Sequence, residues 1–418
     1  MKRKSILLLC ALTTFGAFAQ KNLVDDVEHS IGGFDVKLDT YKDAAAKILP
    51  ALENAESKDD AKTWFVAGRV NFGIYDQCFT SMQLGQDIDK ALMGKSIITA
   101  YDYFKTALPL DTVKQTNKDG SYKMDKKGNI KVKTKYSKDI VNTLVGHHND
   151  FQIAGSLLYE LQDYKAAAQA WGIYVDLPTS GIADRDKFAA PDTTIAQIAF
   201  YRGVAAWQGQ ELQAAVDAFA QARKLGYDKK DAYDYAMNCY ADMGNNDGIV
   251  AIAKEALPLF GDEDVQYINI IINDQVNKGN FDEANRLVEE ALAKQADNAQ
   301  LYNVKGVILE QQKDDEGALA AFKKAVELDP KYLQGQFNAG RVIIKEAVRL
   351  QSENESLSAN QYQKVRETQI LPLYKEAVPY MEAAYALDNT DTQIKNLLRN
   401  IYYQLGEDTK LDLLEKGL

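Results

Sequence analysis

Histidine is the scarcest of the side chains that could serve as catalytic acids, bases or metal ligands, occurring only at His29, His147 and His148. Adjacent histidines point to different faces of a helix, and no Cys or third His lies near the pair. His147 and His148 are therefore expected at a loop end or on the surface rather than on a metal. No HExxH, GxSxG or CxxC spacing occurs. Gly94-Lys95-Ser96 has the ending of a phosphate-binding loop, but Asp89 stands where the opening glycine belongs and no strand signal precedes it. Asp119-Gly120 and Lys127-Gly128-Asn129 read as turns, because neither sits in the regular series of oxygen ligands that a calcium loop needs. In the front third no set of titratable groups has the spacing of an acid and base pair, and the expectation is no enzyme, no cofactor and no metal.

Charge narrows the partners. The net charge is -11, which argues against nucleic acid or an anionic membrane surface as the main partner, since both demand a basic footprint. One segment runs the other way: Thr112 to Lys138 holds nine Lys against two Asp. Tyr122-Lys123-Met124 and Ile130-Lys131-Val132-Lys133 have the alternation of a short hairpin around Asp125 to Asn129. The segment reads either as an electrostatic contact to an acidic partner or phosphorylated lipid, or as a solvated, mobile loop.

The elements that must position any binding residues come from internal repetition. In Leu301 to Pro330, Tyr302 precedes Gly306 by four residues, and Ala318, Phe322 and Ala325 follow it. The same offsets recur with Ala199, Gly203, Ala215, Phe219 and Ala222, and with Phe151, Gly155, Ala167, Trp171 and Tyr174. The anchors Gly203, Met237, Ile272, Gly306 and Gly340 are spaced by 34, 35, 34 and 34 residues. Pro is scarce, at 8 of 418 residues, and long Val/Ile/Thr alternation is missing, so each unit reads as a pair of amphipathic helices joined by a tight turn such as Lys278-Gly279-Asn280. One pair cannot bury its apolar stripe alone, whereas stacked pairs can.

At Tyr302, Gly306, Ala318, Phe322, Ala325 and Pro330 the chain resembles the tetratricopeptide-repeat family. The resemblance implies an all-α, right-handed α-α superhelical solenoid with a concave groove lined by the first helix of each pair. It further implies that the positions six and three before the anchor, and one and four after it, face that groove. The candidate peptide-binding residues are then Phe200, Trp207, Asp234, Asn238, Asn269, Asn273, Asn303, Phe337 and Arg341. Asn carries a donor and an acceptor, so a ladder of Asn can bracket the backbone of an extended peptide, with Phe200, Trp207, Phe337 and Arg341 as anchors. Only Arg341 and Lys345 resemble the cationic cluster that family members use to clamp an acidic C-terminus, so that ligand class is not expected.

Lys2, Arg3 and Lys4, an apolar run from Ile6 to Phe18 and Ala17-Phe18-Ala19 have the layout of a secretory signal peptide over 1–19, with cleavage near Gln20. Cys10 could anchor a lipid, but Leu9 stands where a lipoprotein signal needs a small residue. The leader run is too short to span a bilayer as a permanent helix, and no later stretch approaches 18 uncharged apolar residues. The expected organisation is degenerate helical repeats over 20–147 with the Lys-rich insertion 112–138, then a repeat array over 148–418. Loops are expected at Val175 to Thr194 and 347–371, and a capping helix around Arg399 and Tyr402. Cys78 and Cys239 are expected as buried free thiols. Together these features predict an exported, periplasmic or cell-surface scaffold that binds a protein or extended peptide in its groove. The alternative is a structural component of an envelope complex docked through its inserted loops.

Overall fold

A computed structural model describes residues 22–126 and 128–416; the leader-like segment, Cys10 and Lys127 lie outside the described residues. Among the described residues the chain is helical apart from one small β insertion, and it divides into two compact units, Met1–Asn245 and Asn246–Leu418. Within each unit every helix packs on its neighbours in chain order, as a stack of helix pairs requires.

In the first unit the first helices of the pairs are Ala61–Gln83, His148–Glu160, Asp192–Gln208 and Asp231–Asp242. The intervening second helices are Lys90–Leu110, Tyr164–Asp176 and Leu212–Lys224. The second unit continues with Asn246–Phe260, Gln266–Asn277, Phe281–Lys294, Ala299–Gln311, Asp315–Leu328 and Leu333–Glu353, followed by Leu371–Leu387, Thr392–Leu405 and Asp408–Lys416. Acidic and amide side chains start several of these helices. Asp163 accepts from Ala166 N–H, Asp314 from Gly317 N–H, and Asn298 from the N–H groups of Gln300 and Leu301.

The anchor glycines exist for ring packing. A Cβ placed on Gly155 would lie 2.4 Å from the Trp171 ring, on Gly203 2.6 Å from Phe219, and on Gly306 2.5 Å from Phe322. In each case the ring comes sixteen residues later, from the second helix of the same pair, and is buried. Gly68 makes the same contact with Phe104 across a longer separation, with a Cβ-to-ring distance of 2.2 Å. Where the anchor is the larger Ile272, the residue sixteen on is Val288, and both sit in one core cluster. Bulk at one position is exchanged for bulk at the other, which keeps the interior at native density.

One expected loop is helical instead. The insertion over 347–371 is absorbed by a helix that runs on to Glu353, a short helix Ala359–Val365, and a π-helical stretch Arg366–Ile370 that leads directly into Leu371–Leu387. In the front third the extra residues lengthen Ala61–Gln83 and Lys90–Leu110. The cause is that the inserted residues keep an apolar stripe: Ala347 and Ile370 are buried in the same core as Tyr374 and Met381. The segment after Val175 does lack regular α-helix, holding two single 3-10 turns.

The Lys-rich insertion is ordered by its own backbone. Val113–Lys114 pairs antiparallel with Val132–Lys133, Thr116 pairs with Tyr122, and Met124 with Ile130, which is the expected pairing about Asp125 to Asn129 plus a third strand segment. Gln115 N–H donates to Lys131 C=O, Lys131 N–H to Lys123 C=O, and Lys123 N–H to Gln115 C=O, so each segment bonds both others. Directly paired residues share a face, which places Lys114, Thr116, Tyr122, Met124, Ile130 and Val132 on one side. Gln115, Lys123, Lys131 and Lys133 lie on the other.

The turns within pairs carry a recurring left-handed residue seven after the anchor. It is glycine at Gly244 and Gly279, with φ of 66° and 75°, but Gln162, Gln210 and Lys313 hold φ of 61°, 61° and 67° at the equivalent place. A side chain there carries a backbone penalty that glycine avoids. Lys313→Gly is expected to stabilise the protein by about 0.5–1 kcal/mol, because the lysine side chain is exposed and relief of the left-handed strain outweighs glycine's extra chain entropy. A rise in the urea midpoint at unchanged slope would verify this, and a fall would refute it.

Candidate functional site

The first helices carry all nine predicted peptide-binding residues, but not all on open surface. In the first unit Asn238 is exposed. Trp207 is half-buried, with its Nε1–H donating to Asp242 Oδ2 at 2.9 Å, and Asp234 is paired with Lys230 at 3.3 Å. Phe200, expected as an exposed anchor, is only 6% exposed and stacks on Tyr227 with ring centroids 4.6 Å apart. In the second unit Asn273 is exposed and Phe337 is half-buried against the core. Asn303, expected in the open ladder, is 9% exposed and accepts from Asn338 Nδ2–H at 2.8 Å. Arg341 grips Glu310 through two hydrogen bonds of 2.8 and 2.5 Å, holding that carboxyl below its usual range, and Lys345 pairs with Asp315 at 2.6 Å.

These burials share one cause. The position three before an anchor faces the next first helix rather than solvent, where it meets the position two before the following anchor. Phe200 lies against Tyr235 at 5.7 Å between centroids, and Asn303 bonds Asn338. Asn269 occupies the same place in its repeat, but its counterpart is Val304, which offers no donor. The Asn269 amide oxygen is buried and, among the described residues, no donor reaches it.

The first unit also has an open cleft of about 480 Å³ between its first helices and Trp171 of a second helix, lined by Tyr159, Tyr201, Tyr235, Glu160 and Asp231 among others. The rings form a continuous run: Tyr159 and Trp171 have centroids 5.7 Å apart, Trp171 and Tyr201 6.0 Å, and Tyr201 and Phe200 5.9 Å. The Tyr201 hydroxyl accepts from Gln197 Nε2–H at 2.9 Å. Burial and the neighbouring Asp231 charge push the Tyr227 phenol, stacked behind Phe200, up to about 12.

The two histidines turn to different partners. His147 ends one helix and begins the next, with Nδ1 2.7 Å from Asp150 Oδ2. Burial alone would lower its pKa, but the Asp150 hydrogen bond and the Asp76 charge raise it above the ordinary value. His148 is not at the surface: it is buried, stacks on Tyr174 with centroids 4.3 Å apart, and its Nε2 lies 2.7 Å from the Tyr174 carbonyl oxygen. Burial lowers its pKa. Cys78 and Cys239 are both buried free thiols, and burial pushes Cys239 up to about 12.

Residues 271–332 match the sequence profile of the tetratricopeptide repeat. That stretch is built of tetratricopeptide repeats. No curated protein matches the chain in sequence. Among solved structures, a tetratricopeptide-repeat protein from Bacteroides fragilis is 18% identical, with 61% of this chain and 98% of that one covered and a TM-score of 0.31. The tetratricopeptide-repeat domain of P58(IPK) is 13% identical, with coverages of 94% and 99% and a TM-score of 0.30. YrrB, described as a tetratricopeptide-repeat protein with an unusual peptide-binding site, is 14% identical, with coverages of 48% and 96% and a TM-score of 0.33.

Within the repeats, the groove offsets miss Tyr201 and Tyr235. Both stand two residues before an anchor, a position the offsets skip. Tyr159 stands four after Gly155 and would have been found by carrying the register one repeat further back. Among the described residues no helix is long and apolar enough to cross a membrane.

Proposed function

We propose that this repeat protein is a non-catalytic scaffold, exported through its leader-like N-terminus, that holds an extended segment of a partner protein against the first helices of its repeats. The observation that carries the reading is the open cleft of the first unit: its rings are left unfilled by the chain itself, although they would gain from being covered. Exposed Asn238 and Asn273, with the half-buried Trp207 and Phe337, extend the surface available in each unit. Arg341 and Asn303 then serve mainly to position neighbouring helices, and Asp234 is engaged by Lys230 at the start of its own helix.

A second reading is favoured by the β insertion, where Tyr122, Met124 and Val132 share an exposed face with Lys114, and Lys123, Lys131 and Lys133 stand on the other. Such a knob suits docking to an acidic component of an envelope assembly. One experiment separates the two. Cells carry either Tyr201→Ala/Asn238→Ala/Asn273→Ala or a deletion of 113–134, and partners cross-linked in cells are compared by mass spectrometry. The groove reading predicts at least a tenfold loss of the main cross-linked partner with the triple variant, at an unchanged melting curve, and retention with the deletion. The reverse pattern would favour docking through the insertion.

A further inference from the structure

The cleft of the first unit is built from ring faces and carboxylates. Tyr159, Trp171, Tyr201 and Tyr235 supply the rings, while Glu160 and Asp231 supply the charge; no Lys or Arg lines it. Glu160 meets Lys90 only at the solvent-exposed edge, at 3.1 Å. Next to the cleft, the helix Asp231–Asp242 adds Asp242, while its Asp234 is engaged by Lys230 just before the helix. A ring face bears the negative end of its quadrupole, so rings and carboxylates attract the same kind of ligand. An aliphatic guest would leave both carboxylates facing apolar surface, and an acidic guest would be repelled.

We infer that this cleft is a pocket for a cationic side chain of the bound segment, with arginine preferred over lysine. A guanidinium is planar and can lie on one ring while its edge N–H groups reach a carboxylate, whereas an ammonium holds its hydration more tightly. The inference rests on the peptide-holding function and adds the chemistry of what is held. It makes the first unit a selector for basic segments within an acidic chain.

The test uses the full chain and four nonapeptide pools, each randomised except for a central Arg, Lys, Leu or Glu, with binding read by fluorescence anisotropy. The Arg pool is expected to bind at least fivefold more tightly than the Leu and Glu pools. That preference should disappear in Glu160→Gln/Asp231→Asn and weaken in Tyr235→Ala, each checked for an unchanged melting curve. Binding of any pool without an Arg preference, or a preference that survives Glu160→Gln/Asp231→Asn, would overturn the cation pocket and leave peptide holding intact. Binding of no pool would overturn both.

Discussion

Gly306→Ala is expected to destabilise the second unit by about 2–3 kcal/mol, although alanine is the better helix former by nearly 1 kcal/mol. The new Cβ would sit 2.5 Å from the Phe322 ring, and that ring is fully buried, so it cannot swing into solvent. The surrounding Ala318, Ala339 and Val342 are packed against the same ring cluster, so any shift spreads into the next helix pair. Phe322→Leu alone should also destabilise, by leaving a void. The double variant Gly306→Ala/Phe322→Leu should recover part of the loss, since the added methyl occupies space the ring gave up. Urea unfolding of the four proteins tests this. Simple additivity of the two single effects would show that glycine is kept at this anchor for some reason other than ring clearance.

Asp111 is the other position with a large expected effect. Its carboxylate accepts from the backbone N–H groups of Lys135 at 3.0 Å, Tyr136 at 2.8 Å and Ser137 at 2.7 Å, and from the Ser137 hydroxyl at 2.7 Å. One side chain thus closes the whole β insertion at its base. Asp111→Ala leaves four donors, those of Tyr136 and Ser137 half-buried, without an acceptor and is expected to cost about 2 kcal/mol, with faster proteolysis between Thr112 and Lys138. Burial alone would raise the carboxyl's pKa, but the Ser137 hydroxyl and the three backbone N–H groups together hold it below the ordinary value. A lowered folded pKa means that the stabilisation is complete above the unfolded carboxyl's range and is lost as pH falls through it toward the folded value. The gap in urea midpoint between wild type and Asp111→Asn should therefore be widest near pH 7 and narrow as the pH falls below about 4. A gap independent of pH would show that charge at this position does not matter.

The repeat architecture was legible because close packing writes itself into spacing: Gly155 and Trp171, Gly203 and Phe219, and Gly306 and Phe322 each lie sixteen residues apart for one steric reason. The helical character of the 347–371 insertion was less legible, since its apolar residues fit a helix only when read together with Tyr374 and Met381 on the far side of it. The exposure of groove positions was legible only in part. Helical period says that Phe200 and Asn303 lie toward the groove side, but the residue across from each, Tyr235 or Asn338, belongs to another repeat, and single-repeat offsets do not include it. The burial of His148 was hidden for a different reason: its stacking partner Tyr174 lies on the second helix of its own pair, and the identity of a residue does not show which second-helix ring covers it.

The contacts three before one anchor and two before the next are chemically unlike: ring on ring at Phe200 and Tyr235, amide on amide at Asn303 and Asn338. Modules joined this way cannot be shuffled freely. Exchanging the two would set an amide against a phenol ring and strand its hydrogen bonds, so each seam acts as a key that admits one successor and fixes the order of the array.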